Sequence, residues 1–490
     1  MRILNEIANS PSESEKIKQA KLLNILITNY GENAIETEFN IKFCTELKKY
    51  IGDGNSAVQR ELLKVVSSVA LKGSELTDEF GENKLFNALF ESEISSIIDE
   101  MLIQQMKDKI KKQNEIIKYN DFIILLVQIT SFISRGRGIS QKIEVICGNI
   151  FLSYFNNLVK LLKETKKKKE SNEIITNEQQ IEFENRFIQS ISTIKAFGCM
   201  SEHWFNRDQY AEKYAIHKQI IPLIHINCKV SLNCSNRIQL RETETIHEFQ
   251  DVVLYALGQL ANNDYALEYL MEQQNVIIEH IAPIINSFST KFACASTSLQ
   301  HQNQIPSRNV VIGAIHLLQP LLMDNQTLCK QFQYYPGLGT SLISLTNFTR
   351  MKTDEQRNSS KSAQIRKWSS QCIEWMRKYD KSILLTMVSE WNYLAVNITS
   401  VVCAGGNEIE DPKTIEEGIR SILEIYECLR NGNKEYSEQP SMLRDVQIEA
   451  AEEGANEDIE ANLYHSTIMD DQVQWLTEMC LNKMINQEIY

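Results

Sequence analysis

The chain has 490 residues, of which 43% are hydrophobic and 23% are charged, so it can bury a sizeable core, and wholesale disorder is excluded. It contains 18 Gly and 8 Pro, against about 34 and 25 in an average chain of this length, which favours long helices over an all-β sandwich. The formal net charge of -13 is opposite in sign to that of a protein that coats nucleic acid, and it favours basic partner surfaces.

The 11 cysteines form no Cys-x-x-Cys pair and are odd in number, which indicates free, reduced thiols rather than a disulfide framework. The first residues contain no apolar run long enough for a signal peptide, and no strongly apolar run reaches the length of a membrane span. These features predict a protein of the cytoplasm, with the nucleus as the alternative, that does not insert into a membrane.

Residues 1–162 are predicted to form N-terminal helical repeats. Apolar residues recur at offsets of three and four, as in the run Leu62–Val69, and this is the spacing of amphipathic helices rather than strands. Within the segment 122–162, a Ser-Arg-Gly-Arg-Gly break separates two apolar stretches. Arg135 and Arg137 in this break are candidate contacts for an anionic partner, and solvated surface is their simpler interpretation.

Residues 163–180 are predicted to form an exposed loop, because the four lysines at 166–169 are followed by polar, amide-rich sequence. The lysine run also matches a nuclear localisation or anion-binding patch. A solvated loop is the preferred interpretation, since the run is single and stands in an acidic protein. A second set of repeats is predicted over 181–432.

One conceivable metal set lies in this second range. His217, His225, Cys228 and Cys234 could supply the four nitrogen and sulfur ligands of tetrahedral zinc. Their spacing matches no compact zinc finger, so ordinary residues of a helical repeat are the preferred interpretation. No catalytic constellation or phosphate-binding glycine motif is evident either. No metal, no cofactor and no enzymatic activity are therefore expected.

A longer period of repetition appears in the segments 252–288 and 310–345. In the first segment, an apolar helix ends at Asn262–Asp264, a short helix follows, and a polar turn leads into a third, apolar helix. The second segment has the same order, with a break at Asp324-Asn325 and a turn at Pro336–Gly339 before the third helix.

Both segments resemble armadillo repeats, which have this order of helix, asparagine-rich break, short helix and long packing helix. Looser copies extend the resemblance, at the level of the armadillo/HEAT superfamily, to about two thirds of the chain. The resemblance implies an all-α, right-handed superhelical solenoid with polar loop insertions. Armadillo proteins that import nuclear cargo carry a Trp-x-x-x-Asn ladder. Here no Trp has an Asn four residues later, which argues against that function.

Insertions are predicted near 289–308 and 353–367, an acidic linker over 433–471, and a terminal helix over 472–490. The candidate partner-binding residues of this C-terminal region are Glu449, Glu452, Glu453 and Trp475. The acidic stretch is predicted either to bind a basic partner or to fold back along the groove of the solenoid. Its simpler interpretation is a solubilising linker.

The preferred function is a protein–protein interaction scaffold or adaptor, since one partner needs only about 800 Å² of a helical-repeat groove. One alternative is a chaperone or guanine-nucleotide exchange regulator that holds a GTPase or other client, which also needs no catalytic side chains. A second alternative is an enzyme with a helical fold. One or more proteins are the expected partners, nucleic acid is not, and the oligomeric state stays open.

Overall fold

The computed structural model describes most of the chain. The described residues are 2–10, 12–29, 43–48, 51, 56–75, 94–110, 121–133, 139–170, 177–228, 232, 234–240, 243–294, 308–323, 325–332, 335, 337–348, 356–379, 382–401, 412–432, 436–452, 454–455, 459–460 and 471–485. They fall into two compact units, Met1–Leu270 and Met271–Tyr490. Every named element in the described ranges is a helix, which confirms the predicted all-α fold.

The first unit is built from α-helices and one short 3-10 helix. Its α-helices are α1 (Arg2–Asn9), α2 (Glu13–Asn29), α3 (Ser56–Glu75), α4 (Ile94–Ile110), α5 (Asp121–Ile133), α6 (Gln141–Glu170), α7 (Asn177–Ser201), α8 (Trp204–Glu212), α9 (Ile216–Ile220), α10 (Glu244–Leu260) and α11 (Asp264–Glu272), whose last residues belong to the second unit. A 3-10 helix, Ile221–His225, follows α9 directly.

These helices pack as a stack of near neighbours. One row runs through α2, α3, α5, α7 and α10, each packed on the next, and a second row runs through α4, α6 and α9. Contacts between helices close in chain order are the mark of a repeat stack, because each layer buries its apolar face only against adjacent layers. The packing within this unit therefore has the solenoid character that the sequence predicts.

Aromatic side chains form a buried cluster where α6, α7 and α8 meet. Phe151, Phe155, Phe197 and Tyr210 are all buried, and the rings of Phe151 and Phe197 meet edge to face at a centroid distance of 5.1 Å. Each such side chain contributes about 1.5–3 kcal/mol by burial, and edge-to-face pairs add about 1 kcal/mol. This cluster fixes how the long helix α6 lies against α7.

The second unit repeats the same construction. Its helices are α12 (Gln274–Cys294), α13 (Arg308–Leu322), α14 (Gln326–Gln331), α15 (Leu338–Thr346), α16 (Gln356–Tyr379), α17 (Ile383–Glu390), α18 (Tyr393–Val401), α19 (Pro412–Asn431), α20 (Pro440–Glu452) and α21 (Asp471–Ile485). Helix α12 packs on α13 and α15, α15 on α16 and α18, and α18 on α19, which α20 and α21 then cover.

The asparagine-rich breaks of the two sequence copies have the same local structure. Asn263 precedes α11, and its side-chain oxygen accepts the backbone N–H of Ala266 at 3.0 Å. Asn325 precedes α14, and its oxygen accepts the backbone N–H of Leu328 at 3.0 Å. Both asparagines thus cap the short helix of their repeat, because the first N–H groups of a helix have no partner within it.

Helix α6 differs from the prediction of a loop over 163–180. It continues to Glu170, so the first part of that range is helical, and α7 begins at Asn177. Lysine and glutamate are good helix formers, which allows the helix to run on past its apolar core. Lys166 lies in this extension and donates to the backbone carbonyl of Ser235 at 2.6 Å. Residues 171–176 lie outside the described residues.

Helices also enter the other segments that the sequence assigns to insertions and linkers. Helix α12 extends to Cys294 within 289–308, and α16 begins at Gln356 within 353–367. Helix α20 occupies 440–452 of the predicted acidic linker, and α21 lies where a terminal helix is predicted over 472–490. The low overall hydrophobicity of α16 and α20 hides these two helices from the sequence pattern, because a single apolar face is enough to hold a helix at the surface.

One described helix is long and apolar enough, by length and composition, to cross a membrane, namely the stretch Gln141–Lys167 within α6. The sequence analysis did not identify this helix, because the helix contains no single apolar run of that length. A single helix of this kind is weak evidence for a membrane span, since the core helix of a soluble protein can have the same length and composition. Phe151, Phe155 and Leu162 of this helix are buried within the first unit.

Candidate functional site

The two arginines proposed as contacts for an anionic partner cannot be placed. Arg135 and Arg137 lie outside the described residues, between the end of α5 at Ile133 and the start of α6 at Gln141. Their role stays a prediction.

The acidic candidates of the C-terminal region lie on α20 and differ in exposure. Glu452 is exposed, Glu449 is half-buried, and Glu453 lies outside the described residues. Burial raises the pKa of Tyr426 on α19, and the charge of Glu449 raises it further. Glu449 therefore lies close to the packed surface of α19, and Glu452 is the better placed of the two to meet a partner.

Trp475 lies on α21 with its side chain turned to solvent. Its exposed fraction is 57%, while the neighbouring Leu476 and Cys480 are buried. Since α21 packs on α19, this helix buries one face and presents Trp475 outside that face. An exposed indole has a large apolar surface and one N–H donor, the combination that protein interfaces use as an anchor.

A second exposed tryptophan, Trp204, was not singled out from the sequence as a binding residue. It opens α8, and its exposed fraction is 62%. The ring of His203 stacks beside it at a centroid distance of 5.9 Å, and the ring of Phe205 meets it edge-on at 5.8 Å. Sequence periodicity could not reveal this exposure, because Trp204 stands at the start of a helix rather than within an apolar stripe.

A loop of the first unit gathers three side chains that bind metals well. The 3-10 helix Ile221–His225 leads into this loop, and the loop closes where Ile226 and Ile238 form an isolated parallel bridge. The backbone N–H of Asn227 donates to Ile238 O at 2.9 Å, and that of Ile238 donates to His225 O at 3.1 Å. Two backbone hydrogen bonds thus hold the ends of the loop together.

Side chains from two long helices and from the loop itself hold this closed shape. Gln250 of α10 donates to the carbonyl of Ile226 at 3.0 Å, and Lys166 of α6 donates to that of Ser235 at 2.6 Å. Asn227 has a positive φ of 51°, and its side-chain oxygen accepts the N–H of Leu240 at 2.6 Å. Asparagine tolerates this left-handed conformation better than most residues, so it suits the turn.

Within the closed loop, His225, Cys228 and Cys234 converge. Their ligand atoms all lie within 4.8 Å of one another, and the Cys234 Sγ is 3.2 Å from the His225 Nδ1. His225 and Cys228 are buried, and Cys234 is half-buried. Burial raises the pKa of the Cys228 thiol to about 11, and the neighbouring Cys234 raises it further. Without a cation, the Cys228 thiol therefore favours the neutral form.

His217, the fourth member of the set considered from the sequence, lies elsewhere. Its ring is buried against the rings of Tyr265 and Tyr269, at centroid distances of 5.7 and 5.2 Å. Burial lowers the pKa of His217 to about 4, and the charge of Lys218 lowers it further. Within the described residues, neither ring nitrogen has a hydrogen-bond partner. The structure thus brings three of the four sequence candidates together and sets His217 apart as a core residue.

The sequence did contain a signal for the converging residues. His225 and Cys228 are separated by two residues, the spacing of a Cys-x-x-Cys metal knuckle with histidine in the first position. A search for cysteine pairs alone passes over it. The closure of the loop around Cys234 depends on hydrogen bonds between distant residues, and no local pattern shows these.

No protein-family model matches the sequence, and no curated protein matches it. Among solved structures, it is similar to SYS-1, with 8% identity, a TM-score of 0.46, and coverage of 99% of this chain and 84% of that chain. It is also similar to an engineered protein, with 12% identity, a TM-score of 0.46, and coverage of 99% and 98% of the two chains.

A third similar structure is a designed armadillo repeat protein, with 10% identity, a TM-score of 0.28, and coverage of 76% of this chain and 98% of that chain. Likeness at these levels does not extend to function. Each of the two units is, in its described residues, an all-α stack of helices, and the chain is similar to solved structures that include a designed armadillo repeat protein.

Proposed function

We propose that this chain is a protein-binding scaffold. The observation that carries the proposal is the near-neighbour stacking of helices in each unit. In such a stack every helix layer keeps one side open, so the surface that a partner can contact grows with each added layer. Holding a partner on that surface requires no catalytic side chain.

The two exposed tryptophans are the proposed anchors, one in each unit. Trp204 and Trp475 each expose more than half of their side chains. Burying such a ring in a partner's pocket removes a large apolar area from water, and interface energy concentrates in a few residues of this type. The net charge of -13 favours partners with basic surfaces, and the exposed Glu452 of α20 adds to that charge in the C-terminal region.

The proposed compartment is reducing, with the cytoplasm first and the nucleus second. Nine cysteines have side chains that the structure describes, and all nine are free thiols. Seven of the nine are buried, which is how cysteines that serve as small apolar core residues behave.

The test is quantitative capture of partners from a native cell lysate with full-length protein and point variants. Trp204→Ala and Trp475→Ala each remove one anchor, and Lys163→Ala, at an exposed position of α6, is the matched control. We expect at least one partner whose recovery falls about tenfold or more with one tryptophan variant and is unchanged with the control.

Circular dichroism and thermal unfolding of each variant separate lost binding from lost folding. If every partner binds both tryptophan variants as well as it binds the wild type, the two tryptophans are not anchors. A chain that enriches no protein above the background of an unrelated bait would refute the scaffold itself.

A further inference from the structure

We propose that His225, Cys228 and Cys234 bind a zinc ion that holds the loop 225–240 in its closed shape. The ligand set, the distances and the anchoring of the loop each bear on this assignment, and none of them depends on the proposed scaffold function.

The donor set selects the class of metal. Two thiolates and one imidazole are soft and borderline ligands, which zinc accepts readily, while calcium and magnesium require oxygen ligands. Two thiolates also balance the charge of a divalent cation, so the bound site is neutral and suits its buried position. Zinc has one stable oxidation state and needs no redox partner in a structural site.

The distances match a tetrahedral zinc site with little rearrangement. With zinc–sulfur bonds of about 2.3 Å and zinc–nitrogen bonds of about 2.0 Å, a sulfur and a nitrogen on one ion lie roughly 3.5 Å apart. The observed separation of Cys234 Sγ and His225 Nδ1 is 3.2 Å, and the Cys228 Sγ lies within 4.8 Å of both. A movement of about 1 Å in one thiol is enough to bring all three atoms onto one ion.

The anchoring of the loop makes this a preformed site. The bridge between Ile226 and Ile238, the bond from Gln250 and the bond from Lys166 hold the loop on three sides. The described residues that follow the 3-10 helix, 226–228, 232 and 234–240, form no α-helix, so hydrogen bonds from α6 and α10 and the proposed zinc ion hold them in place. Zinc bound at such a place adds folding free energy, because the unfolded chain does not hold the three ligands together.

The first experiment measures zinc directly. Full-length protein, purified without a histidine tag and without chelator, is analysed for metals by inductively coupled plasma mass spectrometry. We expect about one zinc per chain in the wild type and a loss of about tenfold or more in Cys228→Ser, Cys234→Ser and His225→Gln.

Two control variants test whether zinc binds to the three residues that converge in the structure or to the four-residue set considered from the sequence. His217→Gln removes the histidine that the structure sets apart, and Cys428→Ser removes a half-buried thiol elsewhere. We expect both variants to keep the zinc content of the wild type. Loss of zinc in His217→Gln, with retention in His225→Gln, would overturn the assignment.

The second experiment needs no variant and therefore survives a failure of the variants to fold. X-ray absorption at the zinc edge of the wild-type protein is expected to show two sulfur ligands at about 2.3 Å and at least one nitrogen ligand at about 2.0 Å, and it identifies the remaining ligand. A third experiment compares thermal unfolding with and without EDTA. EDTA is expected to lower the Tm of the wild type by about 4 °C or more and to leave the Tm of Cys228→Ser unchanged.

Three results would overturn the proposal. They are a chain that neither carries zinc nor takes it up in a titration, a zinc ion without sulfur ligands, and a disulfide between Cys228 and Cys234 in the freshly isolated protein. Loss of zinc binding would leave the capture experiment with Trp204 and Trp475 unaffected, so the two proposals stand or fall separately.

Discussion

Single residues of α6 show how closely the helices of the first unit approach. A Cβ atom added at Gly148 would lie 2.4 Å from the ring of Tyr214, which is too close for two carbon atoms. Tyr214 is buried, and its hydroxyl donates to the carbonyl of Val145 at 3.4 Å, so its ring has little room to move. Glycine at this position therefore allows the segment after α8 to pack directly on α6.

Gly148→Ala is predicted to lower the free energy of unfolding by about 1–3 kcal/mol, because overpacking outweighs the helix propensity gained with alanine. The measurement is urea unfolding followed by circular dichroism. Gly198→Ala is the matched control, since a Cβ there would meet the ring of Tyr255 at 3.1 Å, which needs only a small adjustment. Equal losses in the two variants would show that the approach of Tyr214 is not the cause.

A buried histidine in the second unit makes stability depend on pH. His316 of α13 is buried against Trp368 of α16, with ring centroids 4.4 Å apart, and burial lowers its pKa to about 4. In the unfolded chain the pKa is about 6.5. As the pH falls below about 6.5, the unfolded state takes up a proton that the folded state refuses until about pH 4, so the folded state loses stability across that window.

Wild-type protein is predicted to lose about 2 kcal/mol more than His316→Gln between about pH 7 and about pH 5. Urea unfolding of both proteins at the two pH values measures this difference. Asp99 acts in the opposite direction, because burial raises its pKa to about 6, but it is present in both proteins and cancels. The same pH dependence in both proteins would show that His316 is not the responsible group.

At the scale of the element, the two asparagine caps connect a sequence motif to a helix boundary. Asn263→Ala and Asn325→Ala are each predicted to lower the free energy of unfolding by about 1 kcal/mol, because each leaves one N–H of a short helix unpaired. Urea unfolding is again the measurement. A change below about 0.3 kcal/mol at both sites would mean that water replaces the caps fully.

Substitution by aspartate is predicted to affect the two asparagine caps differently. The Asn263 amide also donates to the Asp208 carboxylate at 2.9 Å, while the Asn325 amide donates to the backbone carbonyl of Leu321 at 3.3 Å. Asn263→Asp places two carboxylates side by side, so it is predicted to destabilise the protein more than Asn325→Asp. The repeat comparison found both asparagines from the sequence, but the carboxylate next to Asn263 comes from a helix more than fifty residues earlier.

At the scale of the whole molecule, the C-terminal region belongs to the fold. Helices α20 and α21 both pack on α19, whose Ile422, Tyr426 and Leu429 are buried. Truncation after Asn431 removes both helices and leaves this apolar face of α19 in water. A helical stack needs a capping layer with a polar outer face at its end, so the truncated chain is predicted to be unstable.

The truncated chain is predicted to melt at least about 5 °C below the full-length protein and to bind a hydrophobic dye more strongly. Thermal scans and dye fluorescence provide the measurement. The control is Glu452→Lys, which reverses an exposed charge of α20 and is expected to change stability by less than about 0.5 kcal/mol. A truncated chain with the full-length Tm would restore the interpretation of this region as a separable acidic linker.

The sequence by itself determined the helical class and the repeated unit. The signals were local: glycine and proline are scarce, apolar residues recur at offsets of three and four, and an asparagine break precedes both α11 and α14. Helix propensity and hydrogen bonds between residues close in sequence produce these signals, so they can be recognised without the tertiary structure. These are the features that the structure confirms. The candidate partner-binding residues Glu452 and Trp475 are exposed, and their role in binding stays a prediction.

Only the tertiary structure decided which polar residues meet. It separated His217 from His225, Cys228 and Cys234, turned Trp204 to solvent, and made a covering layer of a segment predicted to be a linker. Each outcome depends on packing and hydrogen bonds between residues far apart in the chain, such as those from Lys166 and Gln250 to the loop. Sequence periodicity reports which face of a helix is apolar, whereas the partner of that face is fixed only when the helices stack.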